Sequence, residues 1–249
     1  MTGLGAFLRF EVLRLIRNPR YVGITVGFPV VFYSLFLHSI EPAHFVGGTS
    51  WNTYFMVSMA SFGAMVAALN AGGTRLAAER ACGWTRQLRV TPLPAWSYVT
   101  TKVAASMVIA LPVVAVVELT GALVGNVRLG VATWVVLTLV LWVSTLPFVV
   151  LAVLVGVLAS SETSYPLVTA LMFLLSFFGG LFTPVQSMPT ALRDVAQFLP
   201  TYHVASLGWA VAAGRAPGLG DAGTLIAYTL VLAVAVTWRH RALESAAFA

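Results

Sequence analysis

Charged residues are scarce in this chain. They make up 9% of its 249 residues, and they include one lysine, Lys102, and two aspartates. A phosphate-binding loop of the form GxxxxGK[ST] requires lysine before serine or threonine, whereas Lys102 precedes Val103. The zinc-peptidase pattern HExxH and the hydrolase pattern GxSxG do not occur either. The sequence therefore predicts a protein that is not an enzyme and that holds no cofactor of its own.

The few acidic residues and the lone cysteine exclude further classes of site. Cys82 is the only cysteine, so no disulfide can form within the chain. Asp194 and Asp221 fall in or beside a predicted outer loop, which argues against an intramembrane carboxylate pair. Ion-driven transport usually requires ionisable groups on several spans. Glu118 is the best candidate, and we expect it near the outer surface, either as a solvated interfacial carboxylate or as an outer gate.

Apolar residues are abundant: the chain is 59% hydrophobic, with a mean hydropathy of +0.91. A bilayer span requires about 20 apolar residues in a helix. Long uncharged runs predict an all-α integral membrane protein, in one domain over residues 1–249, with six transmembrane helices near 21–40, 52–74, 98–123, 131–158, 164–183 and 221–238.

The basic residues predict the orientation, because lysine and arginine near span ends stay on the cytoplasmic side. Eleven of the fourteen fall on one side of the predicted topology, and the exceptions are Arg128, Arg193 and Arg215. We therefore expect a multi-pass protein of the inner (plasma) membrane with both termini in the cytoplasm. The positive charge lies beside the spans, which favours anionic lipid over nucleic acid as its partner.

Two segments outside the spans have helical patterns. Residues 4–17 place apolar side chains on one face and arginines on the other, which predicts an amphipathic interfacial helix within residues 1–20. The alternative is a plain flank of the first span. Residues 184–214 are apolar but interrupted by prolines, which predicts two short re-entrant helices in the outer leaflet. The first would begin at Pro189, and the second would have Thr201 as N-cap and end at Gly214; the alternative is a seventh full span over 195–214.

The basic segment 75–94, between the second and third spans, is the most distinctive part of the sequence. Ala77, Ala81, Trp84 and Leu88 recur on one helical face, and Pro92 and Pro94 end that helix. A short helix of this kind, held below the membrane, suits docking into a groove of another protein. The alternative is a basic interfacial linker with no partner.

The same segment resembles a known family. Glu79-Arg80, Gly83, Leu88 and Thr91-Pro92-Leu93, followed by an aromatic residue and a span carrying Lys102, are similar to the loop between the second and third spans in permease subunits of type-2 ABC exporters. The resemblance extends to Arg17-Asn18-Pro19, to GGLFTPVQSMP and to FLPTYHV, so it covers almost the whole chain.

The resemblance implies the membrane half of an exporter. Residues 1–20 would be its connecting helix. Segment 75–94 would carry a coupling helix seated in a separate ABC ATPase, present in two copies, that holds ATP and Mg²⁺. A second permease, identical or homologous, would complete the path. The residues that would couple this chain to the ATPase are Glu79, Arg80, Gly83, Trp84, Leu88 and Arg89. The loop departs from the family pattern at Ala81-Cys82, where charged or small residues are common.

The second and fifth spans are expected to line the path, because flexible methionines and flat aromatic rings suit varied apolar surfaces. Ala60, Ala64, Ala68 and Gly72 form a small-residue stripe, which would contact either the second permease or another helix of this chain. The expected cargo is an amphiphilic drug, antibiotic or lipid, and the resemblance leans toward daunorubicin-resistance-type multidrug efflux. A stand-alone secondary transporter or channel, and a non-transporting scaffold or immunity protein, are the alternatives. The candidate path residues are Phe55, Met59, Asn70, Met172, Phe173 and Phe177.

Overall fold

The computed structural model describes residues 5, 9, 10, 12–14, 17–37, 45, 46, 48–83 and 95–246. These residues are almost entirely helical, which confirms the predicted all-α class. One small hairpin departs from it: strand β1 (Phe45–Val46) pairs antiparallel with strand β2 (Thr49–Ser50), with Phe45 opposite Ser50.

The described residues include six long helical runs, two short α-helices and a 3-10 turn at Val185–Ser187. The long runs are α1 (19–36), α2 (Trp51–Ala81), α3 (Ala95–Leu123), α4 (Val131–Leu158), α5 (Ser161–Phe178) and α8 (Leu219–Ala246). The short helices are α6 (Thr190–Ala196) and α7 (Pro200–Ala212). A turn at Thr145 divides α4 into Val131–Ser144 and Leu146–Leu158.

Four helices in the described ranges are long and apolar enough to cross a bilayer, so the chain is a multi-pass membrane protein. They cover Trp51–Ala81, Tyr98–Leu123, Val131–Leu158 and Leu219–Arg239. Helix α1 contributes a shorter apolar stretch, Gly23–Phe36. Helix α5 has 18 residues and begins with a polar turn, Ser161 to Ser164.

Several helix ends differ from the predicted boundaries. Helix α5 ends at Phe178, before residue 183, because Gly180 turns the chain with a φ of +78°. Helix α2 continues past residue 74 to Ala81, because a π-helical segment, Asn70–Thr74, joins its two α-helical parts without a break. Part of the predicted coupling segment is therefore an extension of the second span.

Helix α2 forms the centre of the bundle, and nearly all of its residues are buried. Its small residues allow close contact with neighbours of the same chain: the Cα of Gly63 faces Val113 and Pro29, and that of Gly72 faces Ala152. The stripe that includes Ala60, Ala64 and Ala68 is thus an intramolecular contact, and its alternative use against a second permease is wrong.

The segment after α5 forms two separate helices, so the alternative of one continuous span over 195–214 is wrong. Helix α6 begins at Thr190, directly after Pro189, but ends at Ala196. The prediction of Thr201 as N-cap is also wrong: Pro200 starts α7, and the Thr201 hydroxyl instead donates to the Leu175 carbonyl at 2.7 Å. Gly214 follows the end of α7 with a φ of +71°, as expected for a residue that stops a helix.

Hydrogen bonds between helices define two ends of the bundle. At one end, called here the basic end, Glu79 of α2 bonds Lys102 of α3, and Arg80 bonds a carbonyl of α4. At the opposite end the Tyr33 hydroxyl donates to the Asn52 carbonyl at 3.2 Å, and Asn52 Nδ2 donates to the Gly125 carbonyl at 3.0 Å. Helix α7 lies at this opposite end, where Trp209 Nε1 donates to the Tyr54 carbonyl and the two rings stack 4.3 Å apart.

The close contact between α2 and α4 predicts that Gly156→Ala destabilises the protein. A β-carbon at this position would lie 2.6 Å from Leu76 Cβ and 2.9 Å from the Gly73 carbonyl oxygen, so a backbone must shift. We expect a loss of about 1 to 3 kcal/mol in the free energy of unfolding, measured by denaturant titration in micelles. Gly223→Ala on α8 is the control, since its β-carbon would meet nothing within 4 Å. Equal stability of the two variants would contradict the packing described.

Candidate functional site

A buried carboxylate organises the basic end. Glu79 Oε1 accepts from Lys102 Nζ at 2.8 Å and from Arg14 Nη1 at 3.2 Å, and Glu79 Oε2 accepts from the Tyr98 hydroxyl at 2.6 Å. The side chains of Glu79 and Lys102 are only 7% and 2% exposed, whereas that of Arg14 is half exposed. The Glu79–Lys102 pair is therefore shielded from solvent, and each charge needs the other.

The positions of these donors follow from helical spacing. Tyr98 and Lys102 are four residues apart on α3, so they share one face and both reach Glu79. The Lys102 ammonium also lies 5.5 Å from the centre of the Tyr98 ring. Because Arg14 comes from the N-terminal segment, the carboxylate joins three parts of the chain that are far apart in sequence.

Arg80, the next residue, connects α2 to α4. Its Nη1 donates to the carbonyl of Gly156 at 2.9 Å and also to that of Val157. These carbonyls lie in the last turn of α4, where no helical N–H remains to bond them and where the helix dipole favours a cation. Adjacent residues of α2 thus hold two different neighbours: Glu79 holds α3 and Arg80 holds α4.

The predicted coupling residues divide between this cluster and the loop beyond it. Glu79 and Arg80 make their contacts inside this chain, a geometry the sequence analysis did not foresee. Gly83 follows the end of α2 with a φ of +77°, a left-handed conformation that glycine adopts readily where a helix ends. Trp84, Leu88 and Arg89 lie outside the described residues. A role of these six residues in coupling stays a prediction.

A cavity of about 510 Å³ lies between α1, α2 and α5. Three of the six candidate path residues line it: Asn70, Met172 and Phe173. Phe55 and Met59 are instead buried in the core, and Phe177 lies on the surface of α5. The other lining residues are Asn18, Tyr21, Ile24, Thr25, Phe28, Phe62, Val66, Thr74, Arg75, Ala78, Tyr165 and Thr169.

Two π-helical segments border this cavity, Gly23–Gly27 of α1 and Asn70–Thr74 of α2. A π-helical turn contains an extra residue, and such turns occur frequently at functional sites. In α2 the Asn70 amide donates to the Val66 carbonyl at 3.1 Å, and the Thr74 hydroxyl donates to the Asn70 carbonyl at 3.1 Å. The sequence signals for these segments are weak: glycines occur in both, at Gly23, Gly27, Gly72 and Gly73.

Arg75 is a lining residue that the sequence analysis did not select. Its guanidinium carbon lies 5.7 Å from the centre of the Tyr21 ring, a cation–π distance. Tyr21 is itself fixed, because its hydroxyl donates to the Ala67 carbonyl at 3.1 Å and its backbone N–H donates to Asn18 Oδ1 at 3.2 Å. The cavity therefore has a cation held at its basic end.

Glu118, the candidate outer gate, lies toward the opposite end. It is 4% exposed, so it is not the solvated carboxylate that was one of its two expected states. The Thr138 hydroxyl on α4 donates to Glu118 Oε2. A gating role stays a prediction.

Comparisons with known proteins identify the family to which the sequence is similar. Residues 22–238 match the family model described as ABC-2 family transporter protein. The chain is also 28% identical over 235 residues to a protein of Bacillus subtilis (strain 168) described as "Putative transport permease YvfS". That alignment covers 94% of this chain and 96% of the relative.

The buried pair predicts that Glu79→Gln destabilises the protein by about 3 kcal/mol, because Lys102 would keep a buried charge without its counter-ion. Lys102→Met should destabilise by a similar amount, and the double variant should recover a large part of the loss. Unfolding in micelles measures all three variants. Glu162→Gln, which alters an exposed carboxylate at the start of α5, is the control. Additive effects of the two single substitutions would contradict the pairing.

Proposed function

The chain belongs to the ABC-2 transporter family, and we propose that it is the membrane-spanning subunit of an ATP-driven exporter. The match covers residues 22–238, which include α2, α5 and most of α1, the helices that line the cavity. The observation that carries the proposal is the position of Glu79 and Arg80. They tie the loop-proximal end of α2 to α3 and α4, while the same helix lines the cavity one turn away.

We propose that transport is driven by a separate ABC ATPase, present in two copies, which binds ATP and Mg²⁺. Support comes from the sequence, which lacks a phosphate-binding loop. The segment after Gly83 would carry the coupling helix, and Trp84, Leu88 and Arg89 would contact the ATPase. Residues 1–20 would form the connecting helix, since Arg14 reaches Glu79 directly.

We propose six spans, with both termini and the basic end on the cytoplasmic side of the inner membrane. The four long apolar helices supply four of these spans, and α1 and α5 would supply the others. The excess of arginine and lysine at the basic end supports this orientation. Helix α7 has 13 residues and is about 20 Å long, too short for a core of about 30 Å. Together with α6 it would enter the outer leaflet and return.

Movement would pass from the ATPase to the cavity through α2. A displaced coupling helix pulls on the end of α2, and Glu79 and Arg80 transfer that displacement to α3 and α4. The same displacement moves Asn70, Thr74 and Arg75 in the cavity wall. We expect the permease to interconvert between an inward-open and an outward-open state. ATP can shift that equilibrium only if the ATPase binds the two states with different affinities.

The proposed cargo is an amphiphile, such as a drug, an antibiotic or a lipid. The cavity volume falls within the range of about 300 to 1,000 Å³ that is typical of small-molecule sites. Aromatic and methionine side chains among its lining residues suit varied apolar groups. A second permease, identical or homologous, would complete the path, and Glu118 would act near its outer exit.

Reconstitution with an ABC ATPase that co-purifies with this chain tests the proposal. We expect amphiphiles to stimulate ATP hydrolysis and ATP to drive their export from liposomes. Export through an Arg80→Gln permease should fall at least about tenfold while basal ATP hydrolysis persists, because α4 loses its bond to α2. Arg128→Gln, at an exposed site of the opposite end, should leave export unchanged.

Three results would contradict the proposal. Transport without the ATPase would support a stand-alone transporter or channel. Stable binding of the ATPase without any transport would support a scaffold or immunity protein. Full export by Arg80→Gln would remove the proposed route from the ATPase to α4.

A further inference from the structure

We infer that Glu118 is a proton-binding site, in which a neutral carboxylic acid donates a hydrogen bond to Thr138 and so joins α3 to α4. The inference goes beyond the proposed function, because it concerns the chemical state of one side chain and holds whatever the bundle transports. It begins from burial: Glu118 on α3 is 4% exposed. Its Oε2 is within hydrogen-bond distance of the hydroxyl of Thr138 on α4.

The helices around α3 supply no charge that could balance an ionised Glu118. The main contacts of α3 are with stretches 23–36 of α1, 51–74 of α2 and 131–158 of α4. None of these stretches contains a lysine, arginine, histidine, aspartate or glutamate. Their titratable side chains are Tyr33 and Tyr54, whose neutral phenols cannot neutralise an anion. Ionisable residues within transmembrane helices are usually paired, and this one lacks a counter-ion on the stretches that pack against it.

The charged side chains nearest along the chain lie outside this apolar surrounding. Lys102 precedes Glu118 by sixteen residues on α3, which corresponds to about 24 Å, and it is paired with Glu79. Arg128 follows the end of α3, is exposed, and donates through Nε to Asn126 Oδ1 at 3.0 Å. An ionised Glu118 would therefore be an isolated charge in a medium of low dielectric constant, a state that buried carboxyl groups avoid by keeping their proton.

The hydrogen bonds of Thr138 indicate where that proton lies. Its hydroxyl oxygen is 2.9 Å from the Trp134 carbonyl oxygen and is also within hydrogen-bond distance of Glu118 Oε2. A hydroxyl carries one hydrogen, and a threonine within a helix commonly directs it to the carbonyl four residues earlier. The heavy-atom positions allow the bond to Glu118 to run in either direction. If Thr138 donates to Trp134, the hydrogen between Thr138 and Glu118 must come from the carboxyl group.

The second carboxyl oxygen favours the same state. Glu118 Oε1 is buried and has no hydrogen-bond partner in the part of the chain that the structure describes. An ionised carboxylate carries charge on both oxygens, so a buried oxygen without a donor would be costly. In the acid this oxygen is a neutral carbonyl, for which a missing partner costs much less. The protonated form thus satisfies Thr138 and the Trp134 carbonyl and leaves one neutral acceptor unpaired.

The bound proton makes the contact between α3 and α4 conditional. The bond from Glu118 to Thr138 exists only while the carboxyl group is protonated. Release of the proton would create a charge that requires water or a cation at Oε1, and neither can reach that buried oxygen while the helices are packed as they are here. We therefore expect proton release to accompany separation of α3 from α4 at this depth.

Infrared difference spectroscopy on the full chain at neutral pH tests the inference. The carbonyl group of a carboxylic acid absorbs at a higher frequency than carboxylate and amide groups, and a detergent without ester groups keeps that region clear. The spectrum of the parent minus that of Glu118→Gln should contain a carboxylic-acid band. Glu162→Gln, which alters an exposed carboxylate, is the control and should remove only carboxylate bands. A carboxylate band in the Glu118 difference spectrum, in place of the acid band, would overturn the inference.

Substitutions of Thr138 test the partner, and they keep the experiment informative if Glu118→Gln fails to fold. Thr138→Val keeps the shape of the side chain but removes the acceptor, so the acid band should move to higher frequency. Thr138→Ser retains the hydroxyl and should leave the band near its parent position. Thr120→Val is the matched control, because the Thr120 hydroxyl donates to the Val116 carbonyl within α3. An acid band at the same frequency in the parent and in Thr138→Val, or no acid-band difference between them, would overturn the inference.

Discussion

The buried ion pair between Glu79 and Lys102 constrains how the helices at the basic end can move relative to one another. Transfer of an isolated charge out of water is expensive, so neither side chain can leave the other while the end of α2 remains buried. Any displacement of α2 must therefore carry α3 with it or open the cluster to water. Arg80 links α4 to α2 in the same way, because its guanidinium donates to a carbonyl in the last turn of α4, so α4 must also move with α2. Three helices thus behave as one unit at this end.

The rest of α2 packs closely against the neighbouring helices. Gly72 and Gly73 bring the backbone of α4 close to α2, and Gly63 leaves room for side chains of α1 and α3, so little space remains for the helices to slide independently. The π-helical segment Asn70–Thr74 contains Gly72 and Gly73, precedes the charged end of α2, and contributes Asn70 and Thr74 to the cavity wall. Packing, charge and cavity wall therefore follow one another along a single helix.

The sequence predicted the helices and several of the site residues. The predictions that were wrong or missing have physical causes. Uncharged runs predicted the helices, and the rare charges drew attention to Glu79 and Arg80. Their partners could not be predicted, because spacing along one helix does not state which carbonyl or ammonium of another helix lies beside it. The N-cap prediction failed at Thr201 because a tertiary bond to the Leu175 carbonyl competes with local capping. Arg75 was overlooked because its significance depends on Tyr21, which is 54 positions away.

The burial of α2 also bears on how the protein is made. Among the four long apolar helices it is the least hydrophobic, and it packs mainly against helices that are translated later. During synthesis, a segment of this kind leaves the translocon before α3, α4 and α7 exist to cover it. The insertion of α2 in lipid would be only weakly favourable until these helices are inserted. A chain that stalls between the second and fourth helices would therefore expose to lipid the residues of α2 that the finished protein buries.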